Sequence, residues 1–303
     1  MFLVNCLTAK YRFTIRISCL YTRYVDIIII YATITGDGLY SVKEIDLNTY
    51  RRILLFGGSG TGKTAKAKEI VRKVKRSDPS VKALVISPNS EYRDVAEELG
   101  LAYLEPERLG LDPIKLYKEN VIGSCHIKKF MNTYLGLSNV EVDELPSISD
   151  VDRSRVYEGE RPNLKGDMVL SLAKFGETDL TKAGFFIPFV LSHEILFGNM
   201  SDTLMVLDGM DRFLDGMEIT DLMNDARKFG NAILVTVRSP HRFGSNNDVM
   251  NILSVSDVVF VFNISDSLDL EILSDFFRLD REDIDEIREL KPGESMLIVH
   301  RKI

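Results

Sequence analysis

Eight consecutive residues, Gly57-Gly58-Ser59-Gly60-Thr61-Gly62-Lys63-Thr64, combine types and spacing that suit one task. Four glycines let successive backbone N–H groups turn inward around an anion with no Cβ in the way. A lysine and a hydroxyl close the run in the order G-x-x-x-x-G-K-[ST]. In that pattern Lys63 reaches the β- and γ-phosphates of a nucleoside triphosphate, and the Thr64 hydroxyl takes one coordination position on Mg²⁺. The flanks agree. Ile53-Leu54-Leu55-Phe56 reads as a short buried strand, and Ala67, Ile70, Val71 and Val74 recur at helical spacing. The helix N-terminus then aims its free amides at the phosphates. The stretch predicts ATP and Mg²⁺ as cofactors.

A second carboxylate-bearing strand belongs with such a loop. Thr203-Leu204-Met205-Val206-Leu207 is apolar and ends in Asp208, the type and place of a metal-directing acid at the carboxyl end of a strand. Hydrolysis also needs a carboxylate for the attacking water, and the residue after Asp208 is Gly209. Asp211 is the nearest substitute, with Glu194 and Glu218 as others whose location the sequence leaves open. Arg227 and Arg238 flank the strand Ala232 to Val237, which carries Thr236 near its end. Either guanidinium suits γ-phosphate charge, in its own subunit or across an interface. His126, His193, His241 and His300 are scattered, so no metal site beyond Mg²⁺ is expected.

The whole chain must position these groups. Its 303 residues are 45% apolar and 27% charged, which suits one large α/β domain with an appendage or two modest domains. Three widely spaced cysteines form no disulfide framework, which suits a reducing, cytoplasmic setting. Asp26 to Tyr31 is apolar but far too short to span a bilayer, so no membrane span is expected. The net charge of −7 excludes a bulk basic field for nucleic acid, leaving a locally basic channel as the way to hold one.

Tyr11 to Leu20 and Tyr24 to Thr35 read as strands, with a third over Leu39 to Leu47. From Arg52 on, strands and helices alternate, which predicts a mainly parallel sheet covered on both faces. Strands are expected at Lys82 to Ser87, Leu101 to Leu104, Thr203 to Leu207, Ala232 to Val237, Val258 to Asn263 and Glu294 to His300. Residues 120–200 are the least regular. There Leu170 to Phe175 and Phe185 to Phe197 read as helices, and the acidic, proline-interrupted stretch 141–166 as a solvated loop.

Taken in order, IDLNTYRRILLFGGSGTGKT, ALVISPNSEYRDVAEELG, LDPIKLY, LMVLDGMDRF, DARKFGNAILVTVRSP, VVFVFNISDSLDLEILSDFF and LKPGESMLIV resemble the ATPase core of the HerA/FtsK superfamily, in the style of HerA-like helicases and conjugative secretion ATPases. The specific part is an R-K-x-G helix end, a strand ending in T-x-R with a nearby proline, and a distal P-G-E hairpin. The resemblance implies an α/β fold with a RecA-like P-loop NTPase core in residues 46–303, an irregular or helical insertion at about 120–200, and a small N-terminal β segment in 1–45. It implies a ring, most often a hexamer, that translocates DNA or energises secretion, with a nuclease, capsid or secretion-system partner. It matches Lys63 and Thr64 to the phosphate loop, Asp208 to the metal-directing acid, and Arg227 and Arg238 to the arginines on the subunit-facing side of the γ-phosphate. Two positions depart from the pattern: Gly209 stands where a glutamate is expected, and Val237 where a glutamine is. The chain contains no glutamine at all, so weak turnover in a structural or regulatory subunit is the rival expectation.

Overall fold

A computed structural model describes residues 2–8, 11–21, 26–32, 51–137, 148, 152–209, 216–239 and 246–299. At the N-terminus, β1 (Phe2–Thr8), β2 (Tyr11–Tyr21) and β3 (Asp26–Ala32) form an antiparallel sheet in that order. Two of these strands were legible in the sequence and β1 was not. The strand expected over Leu39 to Leu47 lies outside the described residues.

The main sheet has eight strands: β4 (Arg52–Phe56), β5 (Lys82–Ser87), β6 (Ala102–Leu104), β7 (Met168–Ser171), β8 (Thr203–Leu207), β9 (Ala232–Val237), β10 (Val258–Val261) and β11 (Met296–Val299). Their order is β11-β10-β4-β9-β8-β5-β7-β6. Every pairing is parallel except that of β10 with β11. The parallel pairings put all the functional loops at one edge, where the carboxyl ends of the strands open.

Strand residues alternate between two cores. Ile53 and Leu55 face α1 (Lys63–Ser77) and α2 (Arg93–Leu99), joining Ala67, Ile70, Val71, Val95 and Ala96. Leu54 and Phe56 face the larger layer on the other side. That layer is built from α3 (Pro113–Lys118), α4 (Ser124–Leu135), α5 (Glu177–Leu196), α6 (Gly216–Lys228), α7 (Asn246–Val255), α8 (Ser267–Phe277) and α9 (Arg281–Glu289). The result is an α/β P-loop NTPase-like core with helical insertions.

Within 120–200 the structure corrects the sequence reading. Leu170 to Phe175 is not a helix: Met168–Ser171 is β7, inserted between β5 and β6. An apolar run that short carries no period to tell strand from helix. The proline-interrupted stretch is also less solvated than its composition suggests, since Val156, Tyr157 and Leu164 are buried. The helix expected at Phe185 is longer, spanning the twenty residues of α5. It is apolar on nearly all sides because it lies inside the core layer. Among the described residues no helix is long and apolar enough to cross a membrane.

The base of the central strand is locked by a buried ion pair. Arg52 Nη2 lies 2.6 Å from Asp257 Oδ1, and the Asp257 carboxylate also accepts the backbone N–H groups of Arg51 and Arg52.

Candidate nucleotide site

β4 empties into Gly57–Gly62, and α1 begins at Lys63 behind Gly62. The loop is tied at three points. Gly57 N–H donates to Val237 O at the end of β9, Gly58 N–H donates to Asn263 O just beyond β10, and Gly293 N–H donates to Thr61 O. Two glycines are dictated by these close approaches. A Cβ on Gly57 would lie 2.5 Å from Phe262 Cβ, and one on Gly62 would lie 2.9 Å from the Gly293 backbone. Gly62 also takes φ 107°, which side chains disfavour. Lys63 Nζ donates to the carbonyls of Gly57 and Gly58 at 2.5 and 2.6 Å, so its charge sits over the mouth of the loop.

Asp208 follows β8 and is buried. Its backbone N–H donates to Ile86 O of β5, and its Oδ1 accepts from Thr236 Oγ1 at 2.7 Å. The same threonine oxygen accepts from Gly209 N–H at 2.8 Å. Thr236 is thus the bolt between β9 and the end of β8, a role its place in the strand alone did not reveal. The donor set fits Mg²⁺: one buried carboxylate and one hydroxyl at a helix N-terminus are hard oxygens, and Mg²⁺ retains most of its waters in such sites. Thr64 and Asp208 would hold the ion, which would supply positive charge to offset that of the phosphates.

Gly209 takes φ 69°. A Cβ built there would stand 3.4 Å from Pro88 Cγ and 3.7 Å from Arg238 Nη2. Arg238, just past β9, therefore comes to the same sheet edge as the loop and Asp208. Arg227 does not. It is exposed in the last turn of α6, close to where β9 starts, and so lies at the opposite edge of its own chain. Asp211 lies outside the described residues. Glu194 and Glu218 are engaged elsewhere, with Lys165 at 3.7 Å and Lys129 at 3.0 Å.

Tyr92 is a residue that sequence reasoning passed over. It is fully buried, and its hydroxyl is enclosed with no hydrogen-bond partner among the described residues. Burial first, and the Asp208 charge second, push its phenol well above the ordinary tyrosine range.

The profile described as the central domain of helicase HerA matches residues 41–258. The chain belongs to the HerA helicase central-domain family. It is accordingly a nucleotide-binding ATPase of the HerA/FtsK-like superfamily. Among solved structures, VirB4 of Thermoanaerobacter pseudethanolicus superposes with a TM-score of 0.62 at 13% identity, over 83% of this chain and 88% of that one. The bacterial conjugative coupling protein TrwB gives 0.53 at 13% identity, over 83% and 82%. The genome packaging NTPase B204 from Sulfolobus turreted icosahedral virus 2, in complex with AMP, gives 0.46 at 10% identity, over 84% and 100%. The VirB4 and TrwB likenesses are likenesses of fold. No curated protein sequence matches the chain.

Proposed function

We propose that the chain is an ATP-hydrolysing motor that works as a closed ring, most simply of six subunits, and moves DNA. The observation that carries this reading is the pairing of a complete phosphate loop with the buried Asp208 across β9, in a member of the HerA helicase family. Gly57 to Thr64 hold the ATP phosphates, with Lys63 on the β- and γ-phosphates. Thr64 and Asp208 hold Mg²⁺, and Arg238 pulls on the γ-phosphate from its own chain. Arg227, exposed at the far edge, serves only across a subunit interface, which a head-to-tail ring provides. The overall charge of −7 makes DNA binding weak and salt-dependent, carried by basic groups facing the channel.

A second reading has its own observation. The residue after Asp208 is a glycine held at φ 69°, a conformation that a glutamate would take only with strain, so the chain holds nucleotide while turning it over slowly, as a structural or regulatory subunit would. One experiment separates the two. MgATP affinity, phosphate release with and without single- and double-stranded DNA, and light scattering are measured on the wild type and Lys63→Ala. The motor reading expects nucleotide-dependent assembly and DNA-stimulated turnover, both abolished by K63A along with its charge-assisted phosphate contacts. Tight MgATP binding by a monomer with no turnover supports the second reading. Equal MgATP affinity in wild type and K63A refutes both.

A further inference from the structure

Splitting ATP requires a carboxylate that orients and deprotonates water, and the position after Asp208 supplies none because it is Gly209. We propose that Glu91, in the turn after β5, is this catalytic carboxylate, delivered from the strand next to the one that ends in Asp208. The inference rests on the nucleotide-site reading above.

Four observations place Glu91 there. β5 and β8 are parallel and in register, Ile86 opposite Leu207, so Ser87 and Asp208 leave the sheet side by side. The turn then folds toward the end of β8: a Cβ on Gly209 would touch Pro88 Cγ at 3.4 Å and Cδ at 3.5 Å. Tyr92, the next residue after Glu91, is fully buried in the core that holds Val85 of β5 and Val206 of β8, which anchors the far end of the turn to the same pair of strands. Finally, the carboxylate is held. Asn89 Nδ2 donates to Glu91 Oε1 at 2.8 Å, while Asn89 Oδ1 accepts from Glu91 N–H at 3.1 Å and from Ser87 Oγ at 3.0 Å. Ser171 Oγ fixes the turn from β7 through Asn89 O at 3.1 Å. A carboxylate that must meet water at a set angle needs to be held in this way.

In the step, the Glu91 carboxylate accepts one proton from a water as the water oxygen bonds to the γ-phosphorus. The bond from that phosphorus to the β–γ bridging oxygen breaks, and its electron pair leaves on ADP. The proton passes from Glu91 to solvent as inorganic phosphate departs.

Glu91→Gln keeps the shape and the Oε1 acceptor for Asn89 but removes the basic oxygen, and the position is exposed, so the fold is retained. MgATP affinity by calorimetry and steady-state phosphate release are measured on wild type, E91Q and Asp211→Asn. The expected result is a loss in kcat on the order of 10²-fold or more in E91Q, with MgATP affinity unchanged. Wild-type turnover in E91Q, with binding intact, overturns the proposal and leaves the nucleotide site standing. So does a collapse of kcat confined to D211N, which assigns the base to Asp211. Failure of the wild type to bind MgATP overturns the site reading itself.

Discussion

Gly209 carries the sharpest stability prediction in the site. Its φ of 69° lies in the left-handed region, where a residue with a Cβ loses roughly 1–2 kcal/mol. The space itself is not the obstacle: the nearest atoms to an added Cβ are at 3.4 and 3.5 Å on Pro88, ordinary contact distances. Backbone strain alone should therefore set the cost. Gly209→Ala should unfold about 1–2 kcal/mol more easily, which for a domain of this size is a melting shift of about 2–4 °C per kcal/mol. Gly209→Asn should lose less, because asparagine tolerates this conformation better than alanine. Gly209→Glu should recover part of the loss relative to alanine by pairing with Arg238, whose Nη2 lies 3.7 Å from the Cβ position, with about 0.2–1 kcal/mol available to a pair open to water. That same pairing occupies both the new carboxylate and the arginine, so G209E should not raise turnover. Urea and thermal unfolding of the three variants, with phosphate release alongside, check every term. An alanine variant as stable as the wild type refutes the strain reasoning, and a faster G209E refutes the pairing.

Arg52→Ala should destabilise the chain by about 3–5 kcal/mol, since it strands a carboxylate that is largely buried at the base of β4; a change under 1 kcal/mol in urea titration speaks against it. Gly57→Ala should keep the fold but displace the phosphate loop, because its Cβ would meet Phe262 Cβ at 2.5 Å; calorimetry should show lost MgATP binding. Tyr157 is held protonated by burial first and by its hydrogen bond to Asp152 at 2.7 Å. Its folded-state pKa is raised above the ordinary value of 10.0, so its contribution is complete below pH 10 and is lost as pH climbs above it. Tyr157→Phe should flatten that alkaline loss in unfolding curves taken from pH 8 to 12, and an identical slope in both proteins counts against the assignment.

Much of the candidate nucleotide site was legible in the residues because its pattern is local. Gly57 to Thr64 are contiguous in sequence, and an apolar strand ending in Asp208 advertises itself by composition. The alternation of strands and helices likewise settled a mainly parallel sheet, since parallel strands buried on both faces must be apolar throughout. What the residues could not state was which ends meet. Arg227 and Arg238 look equivalent in sequence, one on each side of β9, yet a strand of six residues separates their ends of the sheet and only Arg238 reaches Gly209. β7 was invisible because four apolar residues have no period to read, and only its partners β5 and β6 make it a strand. Tyr92, Thr236 and Gly293 owe their places to atoms far away in the chain: the core around Val206, the Asp208 carboxylate, and a glycine in the phosphate loop. Such long-range contacts depend on strand order and register, which no local pattern encodes.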